Sequence, residues 1–524
     1  MSFRVMHLSS KRRIIHRWIY FGGLALLAIG LPSSVFLMSV SQIILFLNWL
    51  AEAQFREKFR RFFDNRAALI FTSIYLVHIL ALFYSSNWDY GVSTLRTRLP
   101  IFLLTLIVVS SAPLPKQSKK WLPLVFAGAI TVVSLFSIRI FLTGDFNDYR
   151  ELSPFVSHIR LSLMVVLSVF LMLYSAKRTF ANHKGLSMLS YGLAIWHTAY
   201  LLMLYSLSGL LVFAAVIAVL TAILILKLPR VWRAAFFSAG LLLFFGGLVF
   251  LLSLWSNVTK VRDKDIAKLE QQSALGTHYT HDPKSPFREN GHLVYIYIAE
   301  EELREKWNMG SELDYDGYNM RGEPVKHVLF RYMASMGLRK DAEGFAQLTE
   351  RDIEAVEEGI TNVRYTQWPW IVTRLHQTLW ELHHYRIARN PSGHSFAMRL
   401  EFWQAALKAI EKKPLLGWGT GDIREASFYG LEKINSSLTF ERWMKPHNQY
   451  LSFAVLFGIP GMLWIIFALV YPPLKHKCYK HFPCIAFFVI LTISMLNEDT
   501  IDTQAGLSFF VFFYNYFVFL KEET

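Results

Sequence analysis

The chain has 524 residues, of which 53% are hydrophobic and only 18% are charged, and its formal net charge is +15. A typical soluble domain carries about 25% charged residues, whereas a membrane-spanning helix needs about 20 apolar residues in a row. Segments 234–259 and 449–474 contain no charged residue at all. Composition and patterning therefore exclude a disordered chain, a disulfide scaffold and an ordinary cytosolic enzyme, and they predict a polytopic membrane protein.

Hydropathy predicts an all-α fold with about twelve transmembrane helices and one large polar segment. Nine helices fall in an N-terminal transmembrane domain, 1–254, and three in a C-terminal one, 449–524. Between them lies a mainly helical domain, 255–448. The predicted spans are 18–31, 33–51, 67–85, 98–112, 121–143, 156–175, 186–205, 210–227, 234–254, 449–471, 482–496 and 505–520.

Basic residues in the short connections predict the orientation, because cytoplasmic loops are enriched in Lys and Arg. One set of alternate connections carries basic clusters throughout, for example 11–17, 56–61 and 475–480. The other set holds only Arg96, Arg98 and Arg150. Both termini are thus predicted to be cytoplasmic and the large polar domain periplasmic. The positive net charge is then explained by topology, with no nucleic-acid partner.

The polar domain shows helical signals but no cysteine for a disulfide or a Cys-based metal site. Thr349 and Asp352 have the spacing of a capping box. A helix is predicted from Ser395, with an apolar stripe formed by Leu400, Trp403, Leu407 and Ile410.

Charged and polar residues near the span ends converge on the predicted outer face. The residues in question are Arg96, Arg98, His158, Arg160, His447, Glu498 and Asp499, with Arg399 in the polar domain. For Arg96 and Arg98, snorkelling to lipid phosphates is an equally good interpretation. Arg160 is harder to explain in that way because an apolar run follows it directly. A histidine such as His447 is, taken alone, more often an interfacial residue than a catalyst.

The sequence Asp314-Tyr-Asp316-Gly317 contains the Asp-x-Asp pattern by which many glycosyltransferases bind a metal-nucleotide complex. Two carboxylates and a glycine are also common turn residues. Nucleotide sugars are absent outside the cytoplasm, so the turn is the preferred interpretation. The sequence has no other metal motif, and no metal or cofactor is predicted.

An ordered set of motifs near the C-terminus resembles the O-antigen ligase/polymerase superfamily. It comprises Arg399-Leu-Glu-Phe-Trp403, Pro414-Leu-Leu-Gly417-Trp-Gly419-Thr-Gly421, His447-Asn448-Gln-Tyr450 and Phe457-Gly458-Ile-Pro460-Gly461. The sequence from Asn497-Glu498-Asp499 to Gly506 is also similar. One departure is Ser206-Leu207-Ser208-Gly209, where many members carry Ser-Arg-(Ser/Thr)-Gly.

The resemblance implies a membrane-embedded, GT-C-type glycosyltransferase of the bacterial inner membrane that is metal-independent and inverting. It implies transfer of an O-antigen glycan from undecaprenyl diphosphate to lipid A-core on the periplasmic side, in lipopolysaccharide biosynthesis. The resemblance assigns the family's essential loop arginine to Arg399 and its essential histidine to His447. Arg160 is the candidate to replace the family arginine that is missing at Leu207. Arg96, Arg98, His158, Asn448, Tyr450 and Glu498 are predicted to bind substrate.

Elementary chemistry agrees with these roles. Arg holds phosphate through a rigid, permanently charged fork, and a neutral imidazole suits the removal of a hydroxyl proton near pH 7. An O-antigen polymerase or a protein O-oligosaccharyltransferase is an alternative with the same chemistry. A lipid or polysaccharide transporter is a third, although transporters place polar groups near the bilayer midplane in paired halves. The glycan, the acceptor and the oligomeric state cannot be predicted from the sequence.

Overall fold

The structure is a computed structural model that describes residues 10–144, 148–262, 269–439, 441 and 443–521. These residues are mostly helical, and the strands among them are one antiparallel pair, Arg288–Glu289 with His292–Leu293. The first ten helices are α1 (Ser10–Ser33), α2 (Val35–Ala51), α3 (Phe55–Phe63), α4 (Arg66–Leu82), α5 (Trp88–Ser110), α6 (Lys116–Thr143), α7 (His158–Tyr174), α8 (Lys184–Met203), α9 (Leu207–Ile225) and α10 (Arg230–Thr259). The others are α11 (Glu300–Gly310), α12 (Val325–Met336), α13 (Ala342–Phe345), α14 (Glu350–Glu357), α15 (Trp370–Ala388), α16 (Ser395–Lys412), α17 (Ile423–Lys433), α18 (Gln449–Lys475), α19 (Phe482–Asn497) and α20 (Gln504–Val518).

Seven of the described helices are long and apolar enough to cross a membrane: α1, α5, α6, α7, α9, α10 and α18. The number is eight if α2 and α3, which meet at a bend of 116°, count as one span. Helices also form at the four remaining predicted spans, as α4, α8, α19 and α20. The all-helical, multi-span class is therefore confirmed, whereas the count of twelve stays a prediction.

The chain divides into two compact units, Met1–Leu226 together with Arg399–Thr524, and Lys227–Met398. We call them the first and second units. Segment 399–448, which the sequence assigns to the polar domain, packs in the first unit with α18 to α20. The predicted domain boundaries at 254 and 448, and the periplasmic location of 255–448, stay predictions.

Helix α7 lies at the centre of the first unit, since 78% of its apolar window is buried. This burial explains why its sequence is apolar on every side after Arg160. Aromatic residues of α20 fill the neighbouring space, with Tyr514 stacked on Phe71 at a ring distance of 4.0 Å and Phe513 against Phe126 at 4.8 Å. A densely packed core thus supports the loops at the helix ends.

Helix α18 is broken at Gly458 (φ +70°). The glycine-rich segment after α16 binds the backbone carbonyls that the break leaves without a helical partner. Trp418 and Gly419 donate their N–H groups to the carbonyls of Val455 and Leu456, each at 2.9 Å. Gly417 has a positive φ of +72°, and a Cβ there would lie 2.4 Å from the Leu456 backbone. Only glycine fits this close approach, which explains the glycines of the 417–421 motif and fixes α16 relative to α18.

The second unit has its own core around Trp307, Tyr315 and Tyr332 of the α11 and α12 region. Thr349 and Asp352 form the predicted capping box at the start of α14. Cys478 and Cys484, which belong to the first unit, lie close enough for a disulfide across the α18–α19 connection, with their Cα atoms 6.0 Å apart.

Candidate functional site

The acidic loop between α19 and α20 is the polar centre of the first unit. Helix α19 ends at Asn497 because Glu498 is extended (φ −149°, ψ 153°), and Thr503 caps α20 by accepting the N–H of Gly506 at 3.3 Å. The loop between Asn497 and Thr503 carries three carboxylates, Glu498, Asp499 and Asp502. Each of them faces a different set of donors.

Glu498 contacts the arginine and the histidine that the sequence analysis assigns to catalysis. Its Oε1 accepts a hydrogen bond from Nη2 of Arg399 at 2.9 Å, and its Oε2 lies 3.8 Å from Nδ1 of His447. The latter separation is longer than a tight hydrogen bond. Arg399 and His447 are 24% and 28% exposed, so both side chains are partly open to solvent.

Asp499 holds the backbone around His447. Its Oδ2 accepts the N–H of His447 at 3.1 Å, and its Oδ1 accepts the hydroxyl of Ser452 at 2.6 Å. His447 itself has a positive φ of +50°, which is uncommon for a residue with a Cβ. Asn448 follows as the N-cap of α18, with its side-chain oxygen accepting from Tyr450 and Leu451. The histidine is therefore fixed on both sides, by a carboxylate and by a helix start.

Asp502, the third carboxylate of the loop, binds basic residues from two other segments of the chain. Arg98 of α5 reaches its Oδ1 at 2.5 Å, Lys445 reaches its Oδ2 at 3.1 Å, and Gln449 donates to Oδ1 at 3.2 Å. Arg98 is only 2% exposed, and its Nε and Nη1 atoms have no hydrogen-bond partner among the described residues. Arg98 is thus an interior cation paired with protein, as well as a predicted substrate contact.

Arg160 lies in the first turn of α7, where it donates to Ser157 at 2.7 Å. The segment that carries Leu207 in place of the family arginine borders the same region. Ser206 donates to Ser162 of α7 at 3.1 Å, and Asn497, next to Glu498, donates to Ser208 at 3.4 Å. The geometry therefore places Arg160 and position 207 around the same end of α19.

The other predicted site residues have more local contacts. His158 lies 3.2 Å from the hydroxyl of Ser153, and the Tyr450 hydroxyl donates to the carbonyl of Thr492 at 3.2 Å. Arg96 is exposed on α5. The structure thus brings Arg399, His447 and Glu498 into contact, and it leaves Arg96 and His158 outside that contact.

The three carboxylates differ in the direction in which their surroundings shift the pKa. Burial acts to raise the pKa of Glu498, but His447 and the positive charges of Arg399 and Arg160 outweigh it and hold this pKa below its usual value. Burial likewise opposes ionisation of Asp502, yet Arg98 and Lys445 keep its pKa well below the usual range. Burial and the adjacent charge of Asp502 raise the pKa of Asp499 to about 6. Glu498 and Asp502 are therefore anionic at neutral pH, each beside cations.

The Asp314–Asp316 segment is a turn with a surface ion pair. The Asp316 N–H donates to Asp314 Oδ1 at 2.7 Å, and the Asp316 carboxylate binds Arg304 at 2.7 Å. Within the described ranges, no group of three or more His, Cys, Asp or Glu side chains is arranged to hold a metal ion.

Sequence reasoning did not identify Lys445, Gln449, Ser452 or Asp502 as part of this site. Lys445 has a detectable signal, because it lies two residues before the motif histidine. Asp502 follows Asp499 at a spacing of three within the terminal motif. Gln449 also has a detectable signal, because it belongs to the His447-Asn448-Gln-Tyr450 motif, whereas Ser452 lies inside an apolar helix and carries no signal before the fold is known.

One known protein family is similar to the part of the chain that carries this site. No curated protein matches the chain. Residues 363–466, which include Arg399, the glycine segment, His447 and the Gly458 break, match the family model described as O-antigen ligase. This match confirms the resemblance found in the sequence, as a similarity to the O-antigen ligase family over residues 363–466.

Proposed function

We propose that this protein transfers an undecaprenyl-diphosphate-linked O-antigen glycan to the lipid A-core acceptor by an inverting, metal-independent reaction. The observation that carries the proposal is the contact of Glu498 with both Arg399 and His447 inside or beside the O-antigen ligase match. These residues supply a phosphate-binding cation and a base at one place.

Arg399 is suited to the donor diphosphate. Within the part of the chain that the structure describes, it makes one hydrogen bond, from Nη2 to Glu498, so its other N–H groups remain available. A diphosphate oxygen would replace or join Glu498 as the anionic partner. Arg160, whose charge already acts on Glu498, is the proposed second diphosphate-binding arginine. Charge-assisted, forked contacts of this kind stabilise the growing charge on the leaving group.

His447 is suited to the acceptor hydroxyl. Glu498 faces Nδ1, which favours a proton on that nitrogen and leaves the lone pair on Nε2. In the proposed reaction, the acceptor oxygen attacks C1 of the donor sugar while Nε2 takes its proton. The bond from C1 to the phosphate oxygen breaks, and undecaprenyl diphosphate leaves. Attack from the face opposite the leaving group inverts C1.

The remaining predicted residues receive proposed supporting roles. Asn448 and Tyr450 fix the start of α18 through the contacts described above. Arg98 supports the loop through Asp502. Arg96 and His158, at the same helix ends, are proposed to contact the glycan or the lipid headgroups around it.

The proposed location is the inner membrane, with twelve spans, both termini cytoplasmic and the site on the periplasmic side. Reporter fusions at Lys284 and Lys477 should then show opposite compartments. The proximity of Cys478 and Cys484 provides a second test, because a disulfide between them would persist mainly in an oxidising compartment, whereas the surrounding lysines indicate the cytoplasm. We expect both thiols to be reduced in intact cells. A stable disulfide in cells would overturn the orientation.

The decisive experiment is a deletion strain analysed by lipopolysaccharide gel electrophoresis. A ligase predicts an intact core without the long-chain ladder, restored by the wild-type gene. A core carrying a single repeat indicates a polymerase instead, and an unchanged gel indicates a protein or another glycan as acceptor.

A further inference from the structure

Helices α2 and α3 meet at a sharp bend, and side-chain contacts fix this bend. The bend of 116° is made by two residues in the left-handed region, Ala53 (φ +56°) and Gln54 (φ +54°). Lys58 fixes it, because its buried Nζ donates to the Trp49 carbonyl, lies 2.9 Å from Glu52 and sits 4.9 Å from the Trp49 ring centre. The 17 residues of α2, most of them apolar, have roughly the length of one crossing of the hydrocarbon layer. A helix that turns away at the end of such a span lies along the membrane surface.

One side of α3 packs on the protein and a second side is apolar but uncovered. Lys58 and Phe62 are buried, and Phe62 meets Phe102 of α5 at 6.1 Å. A continuous aromatic stripe with ring spacings of 6.5 and 6.3 Å is exposed, and it consists of Phe55 at 41%, Phe59 at 42% and Phe63 at 62%. Three neighbouring exposed phenylalanines on one helix form a surface that water solvates poorly.

Two arginines lie beside this stripe. Arg56 and Arg60 follow Phe55 and Phe59 by one residue, so they lie on the adjacent strip of the helix. Both are exposed, and neither has an ion-pair partner within the described ranges. Arg61, by contrast, is paired with Glu57 at 3.2 Å and donates to the Ser110 carbonyl. The uncompensated positive charge therefore sits next to the aromatic stripe.

We propose that α3 is an interfacial helix that binds anionic phospholipid headgroups. The phenylalanine stripe enters the acyl-chain boundary of the leaflet in which α2 ends, and Arg56 and Arg60 contact the phosphates of anionic lipids. This pattern of an apolar face beside a basic one is that of helices lying in the plane of a membrane surface. The bent pair α2 and α3 is accordingly one span plus a surface anchor, and the inference is independent of the proposed glycan transfer.

Depth measurement by spin label tests the apolar face. The full chain with Cys478→Ser and Cys484→Ser receives one label at Phe59→Cys, or at Phe63→Cys should that variant not fold, and is placed in phosphatidylcholine–phosphatidylglycerol nanodiscs. Glu57→Cys is the matched control on the same helix. We expect the Phe59 label to be relaxed by oxygen and protected from a water-soluble nickel complex, and the control to behave oppositely. Equal exposure of both to nickel, or protection of Phe59 from both reagents by a protein partner, would overturn the proposal.

Lipid selectivity tests the two arginines. A bimane label at Phe63→Cys is quenched by brominated acyl chains, carried either by the phosphatidylglycerol or by the phosphatidylcholine component. We expect phosphatidylglycerol to quench more per mole at low salt, by roughly fivefold for each arginine. Arg56→Gln with Arg60→Gln should abolish the difference, while Glu57→Gln should retain it. Equal quenching by the two lipids in the parent protein would refute the anionic preference.

Discussion

Two arginine–carboxylate pairs, one in each unit, have opposite characters. In the second unit, Glu289 is fully buried and accepts from Arg331 through Nε at 2.8 Å and Nη2 at 2.6 Å, while Asn362 donates at 2.7 Å. Arg331 also stacks 4.2 Å from the Trp380 ring. In the first unit, Glu498 and Arg399 share one hydrogen bond at 2.9 Å, and both are partly exposed.

The difference separates a structural pair from a pair suited to a ligand. Glu289 is fully enclosed and accepts hydrogen bonds from both Arg331 and Asn362, so an anion from solvent has no path to the position of this carboxylate, although Arg331 itself is 22% exposed. The Glu498 pair leaves donors on Arg399 and a histidine beside it open to solvent. Substitutions in the two pairs should therefore produce different defects, one in stability and the other in transfer.

The largest expected effect is on turnover, at His447. His447→Ala removes the proposed base, and a general base contributes about 10²–10⁴ in rate. Transfer by the purified protein should fall by that factor while binding of the lipid-linked donor persists, because Arg399 and Arg160 remain. His278→Ala, in the other unit and far along the chain, is a control that should keep full turnover. Unchanged transfer by His447→Ala would remove this residue from the chemistry, and parallel loss of binding would reassign it to phosphate contact.

The next effect is on folding, at Glu289. Glu289→Ala removes a fully buried carboxylate that accepts hydrogen bonds from Arg331, which is 22% exposed, and from Asn362. Leaving such donors without their acceptor costs about 1–3 kcal/mol. The melting temperature of the full-length protein should drop markedly. Glu498→Ala is the matched variant in the other pair, and it should lower transfer with a much smaller change in melting. If both variants lose stability equally, the contrast between the two pairs is wrong.

Arginine geometry should produce a smaller but measurable loss. Arg399→Lys and Arg160→Lys keep the charge but replace the planar fork by a point charge. Charge-assisted hydrogen bonds contribute roughly 1.5–3 kcal/mol, so transfer should fall by at least about tenfold to a hundredfold. Arg150→Lys, at a residue 70% exposed, should keep full activity. Full transfer by Arg160→Lys would shift the missing family role away from α7, and Arg98 would be the next residue to substitute.

The sequence predicted the helical class and the capping box, because these depend on local patterns, and its resemblance to a known family pointed to the two motif residues that meet at Glu498. It did not predict which face of α16 is buried. The large residues of the predicted stripe are partly or fully exposed, as with Leu407 at 51%, whereas Phe402, Ala405 and Ala409 are buried. Small residues there admit a close neighbour, since a Cβ at Gly430 would lie 2.1 Å from the Ala405 carbonyl. Side-chain size alone does not reveal such close packing between helices.

The same limit applied to the acidic loop. The sequence shows Asp499 and Asp502 three residues apart, but their different charges depend on partners from distant segments. Arg98 comes from α5 and Lys445 from the loop before α18, and both pair with Asp502 rather than Asp499. Which carboxylate receives the cations is decided by the fold alone.

The smallest expected effect is a pH dependence that distinguishes these two carboxylates. Burial and the charge of Asp502 raise the pKa of Asp499 from an ordinary 3.8 to about 6. A raised pKa means that the folded state holds the proton more tightly than the unfolded state. The resulting stabilisation is complete below about pH 4 and is lost as the pH rises through about 6.

Asp499→Asn cannot ionise, and its amide oxygen can still accept the His447 N–H. The melting temperature of this variant, relative to the parent, should therefore be higher at pH 8 than at pH 5. Glu411→Gln, at an exposed residue, should show no such difference. A relative stability of Asp499→Asn that is the same at both pH values would mean that Asp499 ionises at its ordinary pKa in the folded protein, and that Asp502 is too well neutralised by Arg98 and Lys445 to affect it.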